Sequence, residues 1–214
     1  MPATIFLLSP ASLRGKRGAM LLSPKARFDL AQRLRADDGP SLGDVFAFVS
    51  GLYFRGKLAY ARRFGRAPLG RAAAFVITPS RGLLPIDHPA SAALLEEFSR
   101  VPIDLGEPRY REPLEASVQM LAGSMKRGDR AVLLGSIATD KYVGVLSQHL
   151  GTRLLFPTTF VGRGDMSRGG LMLRCVSDNQ ELEYVRIEGA TRRGARPAKL
   201  TPRRGIMAAA LAAE

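Results

Sequence analysis

The sequence predicts a three-layer α/β fold, with a short, mostly parallel sheet, helices on both faces and a C-terminal β-hairpin or edge pair. Three observations carry this. Four short apolar, β-rich segments, at residues 3–8, 73–78, 130–134 and 153–156, are each followed by Pro, Gly or Ser. Stretches with helical spacing of apolar residues lie between them, at 25–35, 43–64, 91–98, 111–126 and 140–150. Strand and helix therefore alternate, as parallel neighbours joined by helical crossovers require.

Taken in chain order, the first strand ends at Leu8 and gives way to a loop at 9–18 with two hydroxyls and three cations. The helical stretch 43–64 concentrates aromatics (Phe46, Phe48, Tyr53, Phe54, Tyr60) among cations (Arg55, Lys57, Arg62, Arg63), which reads as core plus a basic outer face. The second, third and fourth strands run into loops beginning at Thr78, Gly135 and Pro157. Residues 170–175 and 182–187, around a polar turn, predict an antiparallel pair, so the sheet is expected to be mixed. Cys175 is placed in that pair as a small packed hydrophobe.

Composition narrows the function classes. The chain has 214 residues, of which 46% are hydrophobic and 24% charged, which is ordinary globular usage and argues against disorder. No apolar run approaches the roughly 18 to 20 residues of a membrane span, and no secretory signal pattern opens the chain. A soluble, cytoplasmic protein is expected. With Cys175 the one cysteine and His88 and His149 the two histidines, neither a disulfide nor a structural zinc is expected, and no cofactor is identified. The absence of linkers and repeats predicts one α/β domain over 1–190, followed by a basic, flexible tail at 191–214. Residues 190–205 carry six cations and no acid, and 206–214 have the composition of a short helix.

Charge points to the partner class. The excess of 32 Lys and Arg over 19 Asp and Glu gives a net charge of +13, which attracts nucleic acid or a phosphorylated ligand. In parallel α/β sheets, ligands gather beyond the carboxyl ends of the strands, which selects four loops. The first contributes Ser9, Ser12, Lys16 and Arg17, suited to an oxyanion although no Walker A pattern is present. The second contributes Thr78, Ser80 and Arg81, with His88 beside Asp87. The third contributes Gly135, Ser136, Thr139, Asp140 and Lys141 at a helix start. The fourth, at 162–170, packs four glycines with Arg163, Asp165, Ser167 and Arg168.

Gly162 and Gly164 suit close backbone approach to a ligand, and Arg163 and Arg168 suit phosphate. Asp165, kept ionised by those arginines, is the first candidate for a general base or electrostatic stabiliser. Asp140 and His88 are the other candidate catalytic groups.

Two stretches carry a family resemblance. The opening Ile5-Phe6-Leu7-Leu8-Ser9-Pro10-Ala11 resembles the start of the peroxide-stress YaaA family. Residues 52–61 (LYFRGKLAYA) and 78–85 (TPSRGLLP) resemble uncharacterised bacterial and phage nucleobase-associated α/β proteins. The resemblance implies a layout related to the uracil-DNA glycosylase fold, with DNA-handling loops on one sheet edge. His88-Pro89-Ala90-Ser91 follows the second strand instead of standing late in the chain, and the loop after the first strand is basic instead of acidic. No catalytic role is therefore carried over.

Three functional expectations result. The first is a nucleic-acid-binding protein, DNA before RNA, that acts on a base or N-glycosidic bond in the manner of a glycosylase. The second is a non-catalytic nucleic-acid-binding or stress protein. The third is an enzyme on a small phosphorylated metabolite or nucleotide.

Overall fold

The computed structural model describes residues 1–201. The helix expected at 206–214 lies outside the described residues. The fold is α/β, built on a six-stranded mixed sheet. In chain order the elements are β1 (Thr4–Leu8), α1 (Lys16–Leu22), α2 (Asp29–Arg33), α3 (Leu42–Ser50), α4 (Leu52–Phe64), β2 (Ala74–Ile77) and β3 (Leu83–Pro85). They continue with α5 (Ala92–Arg100), α6 (Pro108–Ser124), β4 (Arg130–Leu134), α7 (Asp140–Leu150), β5 (Leu154–Pro157), α8 (Asp165–Ser177) and β6 (Tyr184–Arg186).

The strand order is β3-β2-β1-β4-β5-β6. The four inner strands are parallel, and the two edges, β3 and β6, are three-residue antiparallel strands. Alternate side chains of each inner strand enter different cores, as the two-residue repeat of a strand requires. Phe6, Leu8, Val76, Val132 and Leu134 face one layer with α3, α4 and α5. Ile5, Leu7, Ile77, Ala131 and Leu133 face the other, with α6 and α7. Both faces are covered, which explains why the strands read as continuous apolar runs.

Several expectations change in detail. Residues 170–175, expected as a strand, belong to α8, and Cys175 with them. The C-terminal antiparallel pair is formed by β5 and β6. The run Gly-Gly-Leu-Met-Leu-Arg-Cys is short enough to satisfy either period, and packing against α4 decides for helix. The single helical stretch 43–64 is two helices. Gly51, at φ 67° and ψ −139°, ends α3 and opens α4 in a conformation that side chains disfavour. Ser41 caps α3 by accepting from the Asp44 amide at 3.1 Å. Only 29–33 of the stretch 25–35 is helical, and the loop after β1 holds an additional helix, α1, from Lys16. Among the described residues no helix is long and apolar enough to cross a membrane, and no cluster of three or more His, Cys, Asp or Glu could hold a metal ion.

Helices α4 and α8 pack backbone to backbone, and glycines make it so. A Cβ on Gly56 would lie 2.6 Å from the Gly169 carbonyl oxygen, and one on Gly169 would lie 2.6 Å from that of Leu52. The obstructing atoms are backbone, so a methyl group forces the helices apart.

Gly169→Ala gains up to about 1 kcal/mol of helix propensity but meets overpacking of typically 1–3 kcal/mol or more. The clash wins, and Tm is expected to fall by about 3–10 °C. Gly123→Ala, on α6 with nothing within 4 Å of the new Cβ, is expected to hold or raise Tm. Thermal unfolding of both variants checks the packing, and a Gly169→Ala protein as stable as wild type would contradict it.

Candidate functional site

The sheet topology places the four candidate loops together. β1, β2, β4 and β5 are parallel, so the segments that follow them all emerge at one edge. The crossover direction reverses between β1 and β4, and ligand crevices form at such a switch point. Ser9 sits there, directly after β1, its amide bonded to the Leu134 carbonyl at the end of β4. Gly135 stands beside it: a Cβ would come within 2.8 Å of the Ser9 Cβ and 2.9 Å of the Tyr142 hydroxyl. Tyr142, from the first turn of α7, is buried and donates to the Ser136 carbonyl at 2.9 Å.

The group at the centre of this crevice was assigned by its sequence to the basic outer face of a helix. Lys57 is 1% exposed. Its Nζ lies 2.7 Å from the Ser9 hydroxyl and 3.0 Å from the Ser9 carbonyl oxygen, to which it donates. It also sits 4.0 Å above the centre of the Tyr53 ring. Burial lowers its pKa from the ordinary lysine value to about 7; Asp165 opposes the shift and Arg168 adds to it. Its position in the stripe Tyr53, Lys57, Tyr60, Phe64, spaced four, three and four residues apart, was the available signal: a lysine at this spacing faces the core.

Arg168 reaches the same crevice from α8. It is 9% exposed and holds the Phe160 carbonyl through Nε and Nη2 at 3.1 and 3.0 Å. Its Nη1 lies 3.5 Å from Asp165, whose side chain is 69% exposed at the mouth. The buried Tyr53 hydroxyl makes no hydrogen bond in donor geometry among the described residues. Burial raises its pKa, with the nearby Arg168 guanidinium opposing.

Around this centre the expected residues divide. Gly162, at φ 72°, and Gly164, preceding α8, form the loop after β5. Arg163 bonds the Thr159 carbonyl and the Ser167 hydroxyl at 3.0 and 3.1 Å. Thr139 precedes α7 without a side-chain cap, and Asp140 and Lys141 are exposed at its start. Lys16 is exposed on α1, while Arg17 is turned to the Phe48 carbonyl at 3.3 Å. Ser12 accepts from the Arg14 amide.

The loop after β2 is tied inward. Thr78 closes its turn on Gly82, and Ser80 and Arg81 both bond Glu97. These last two line an open groove of about 600 Å³ with Arg100 and Arg109. Arg81 and Arg109 are there matched by Glu97 and Glu107, so the charges lining this groove are paired. His88 is not brought to the crevice. β3 runs antiparallel from Ile77 back to Phe75, so the chain reaches Asp87 and His88 near the amino edge. There Asp87 pairs with Arg62 at 3.7 Å, and the His88 carbonyl accepts from Leu42.

Residues 191–201, expected as part of a mobile tail, run without regular secondary structure along the crevice edge. Arg192 pairs with Asp140 at 2.6 Å. The Ala195 carbonyl lies where a Gly162 Cβ would stand, and the Ala198 carbonyl is 3.5 Å from Arg163. Arg174 holds the Thr201 carbonyl. Arg193, Arg196 and Lys199 are exposed and make no ion pair among the described residues.

Comparisons with protein-family models, curated proteins and solved structures return no match.

Lys57 gives the site a pH signature. Between its folded pKa near 7 and its unfolded value of 10.5, the unfolded chain holds a proton that the folded chain does not. Stability therefore rises with pH across that window, and below pH 7 the full penalty of burying the charge applies. In urea unfolding at pH 7 and 8.5, wild type is expected to gain stability relative to Lys57→Met. Equal changes in both proteins would show that the lysine stays charged.

Proposed function

We propose that the protein binds nucleic acid across the carboxyl edge of its sheet and takes one nucleotide unit to the crevice, acting there on the base or N-glycosidic bond. The observation that carries this reading is one exposed carboxylate, Asp165, beside a buried arginine of its own helix, with further cations on the segment that runs past the loop before that helix. Arg168 lies beside it on α8, Arg163 bonds the Ser167 hydroxyl in the first turn of that helix, and Arg193, Arg196 and Lys199 are exposed on the strap.

The strap cations suit phosphates of a strand, since they are unmatched and solvated. Asp165 suits the chemistry, because cleavage of an N-glycosidic bond develops positive charge on the sugar that a carboxylate stabilises. A carboxylate at this place also aims a water at the same carbon. Its exposure leaves it free to meet a ligand. The +13 net charge supports the same partner class.

The test has two parts. Binding of labelled single-stranded DNA and RNA is measured by fluorescence anisotropy across a salt series. Replacing Arg193, Arg196 and Lys199 together with Ala is expected to flatten the slope of log K against log salt by about 2, from roughly 0.7 per phosphate contact. Base release is then measured over a panel of normal, mismatched and damaged oligonucleotides, where Asp165→Asn is expected to reduce the rate by roughly 10²-fold or more. Binding without base release from any substrate would leave a binding module and overturn the chemical half. Absence of salt-dependent binding would overturn both.

A further inference from the structure

We propose that Ser9 and Lys57 form a nucleophile–base pair that opens a small phosphoester through a transient phosphoester on the Ser9 hydroxyl. This goes beyond the nucleic-acid reading and does not depend on it.

The geometry of the amine is the first argument. A neutral lysine amine has two N–H groups and one lone pair. Around Nζ stand groups that can only take an N–H, the Ser9 carbonyl at 3.0 Å and the Tyr53 and Phe54 rings at 4.0 and 5.2 Å, and one that can give a proton, the Ser9 hydroxyl at 2.7 Å. The neutral amine places its two N–H groups on the carbonyl and the nearer ring, with its lone pair on the serine proton. In the ammonium form the third N–H is donated to the same hydroxyl. A proton can pass between the two atoms without leaving either unpaired, which is the requirement for a base that activates a hydroxyl nucleophile.

The setting is the second argument. Lys57 is held from three sides. Tyr53 packs on it from its own helix, Ser9 meets it at the end of β1, and Asp165 and Arg168 are the charged groups facing it from α8. Tyr142, from α7, shares a side-chain hydrogen bond with Ser9. Gly135 keeps a methyl group out of the space beside the nucleophile, where a Cβ would lie 3.1 Å from the Ser9 Oγ.

Arg168 supplies fixed positive charge close by, and the Tyr53 hydroxyl, buried without a hydrogen-bond acceptor, supplies an available donor. Both favour an electrophile that carries anionic oxygens, hence a phosphoryl centre. Ser9 is 6% exposed, which excludes a bulky ester.

The step balances as follows. The Ser9 Oγ–P bond forms and the bond from phosphorus to the leaving alcohol oxygen breaks. The serine proton passes to Lys57 Nζ and from there to that oxygen. Water then attacks phosphorus, giving its proton to Lys57. The P–Oγ bond breaks, and Ser9 recovers the proton. The sum is hydrolysis of one phosphoester, with no change of oxidation state.

The probe is a small alkyl fluorophosphonate, which transfers its phosphoryl group to a nucleophilic serine with loss of fluoride. Peptide mass spectrometry of the full chain is expected to place one adduct on Ser9. The labelling rate should rise with pH through a midpoint near 7 and level off above about pH 8, following the neutral fraction of Lys57. Ser9→Ala should abolish the adduct. Lys57→Met, of similar volume, should slow it by roughly 10²-fold or more while circular dichroism shows a folded protein. If Lys57→Met does not fold, the wild-type pH profile decides. No Ser9 adduct on wild type at pH 8.5, a rate indifferent to pH between 6 and 9, or unchanged labelling of folded Lys57→Met would each overturn the proposal.

Discussion

The close approach of α4 to α8 is the constraint on which the crevice depends. Gly56 and Gly169 let the two backbones meet, and each is followed or preceded by a cation: Lys57 comes after Gly56, and Arg168 comes before Gly169. The contact that brings the helices together therefore also delivers two long basic side chains to one place, beneath the end of β1. Neither reaches water freely there. Lys57 anchors on Ser9 and Arg168 on the Phe160 carbonyl, so each cation fixes the start of a loop on the sheet's carboxyl edge. Loss of the helix contact would loosen both anchors at once.

Burial of these groups has an electrostatic consequence. An ammonium taken out of water is disfavoured unless paired, and the nearest carboxylate, Asp165, is largely solvated at the mouth. The protein meets this by weakening the charge of Lys57 itself, whose pKa burial brings to about 7. Surface charge is arranged on a different principle. Several exposed arginines of the body stand next to a Glu or Asp, as Arg81 does with Glu97 and Arg66 with Glu181, and such pairs contribute little stability but cancel local field. On the strap, Arg193, Arg196 and Lys199 make no ion pair among the described residues.

The architecture was legible because parallel strands buried on both faces leave an unmistakable record: continuous apolar runs ended by Pro, Gly or Ser, with helical spacing between. The loops were legible for the same reason, since parallel strands send their carboxyl ends to one edge. Lys57 was harder to read. Its neighbours Arg55, Arg62 and Arg63 made it one more cation of a basic face, and only its place in the stripe with Tyr53, Tyr60 and Phe64 marked it as inward. His88 shows the opposite error. A histidine beside an aspartate after a strand suggested chemistry, but the short antiparallel β3 carries the chain back across the sheet before His88 is reached. Residues 170–175 were ambiguous at the level of period, and the glycine contact with α4 resolved them as helix. The strap at 191–201 is held largely through backbone carbonyls, which no side-chain pattern announces.

At the centre of the site Lys57 is a buried amine whose pKa burial lowers to about 7 and which is bonded to Ser9. The most direct measurement follows the lysine side-chain nitrogen by NMR, with isotope-labelled lysine, from pH 5 to pH 11. The account predicts one lysine signal, absent in Lys57→Met, that titrates with a midpoint near 7 and whose shift responds to Ser9→Ala. A Lys57 nitrogen that stays protonated up to the ordinary lysine range near 10.5 would contradict it.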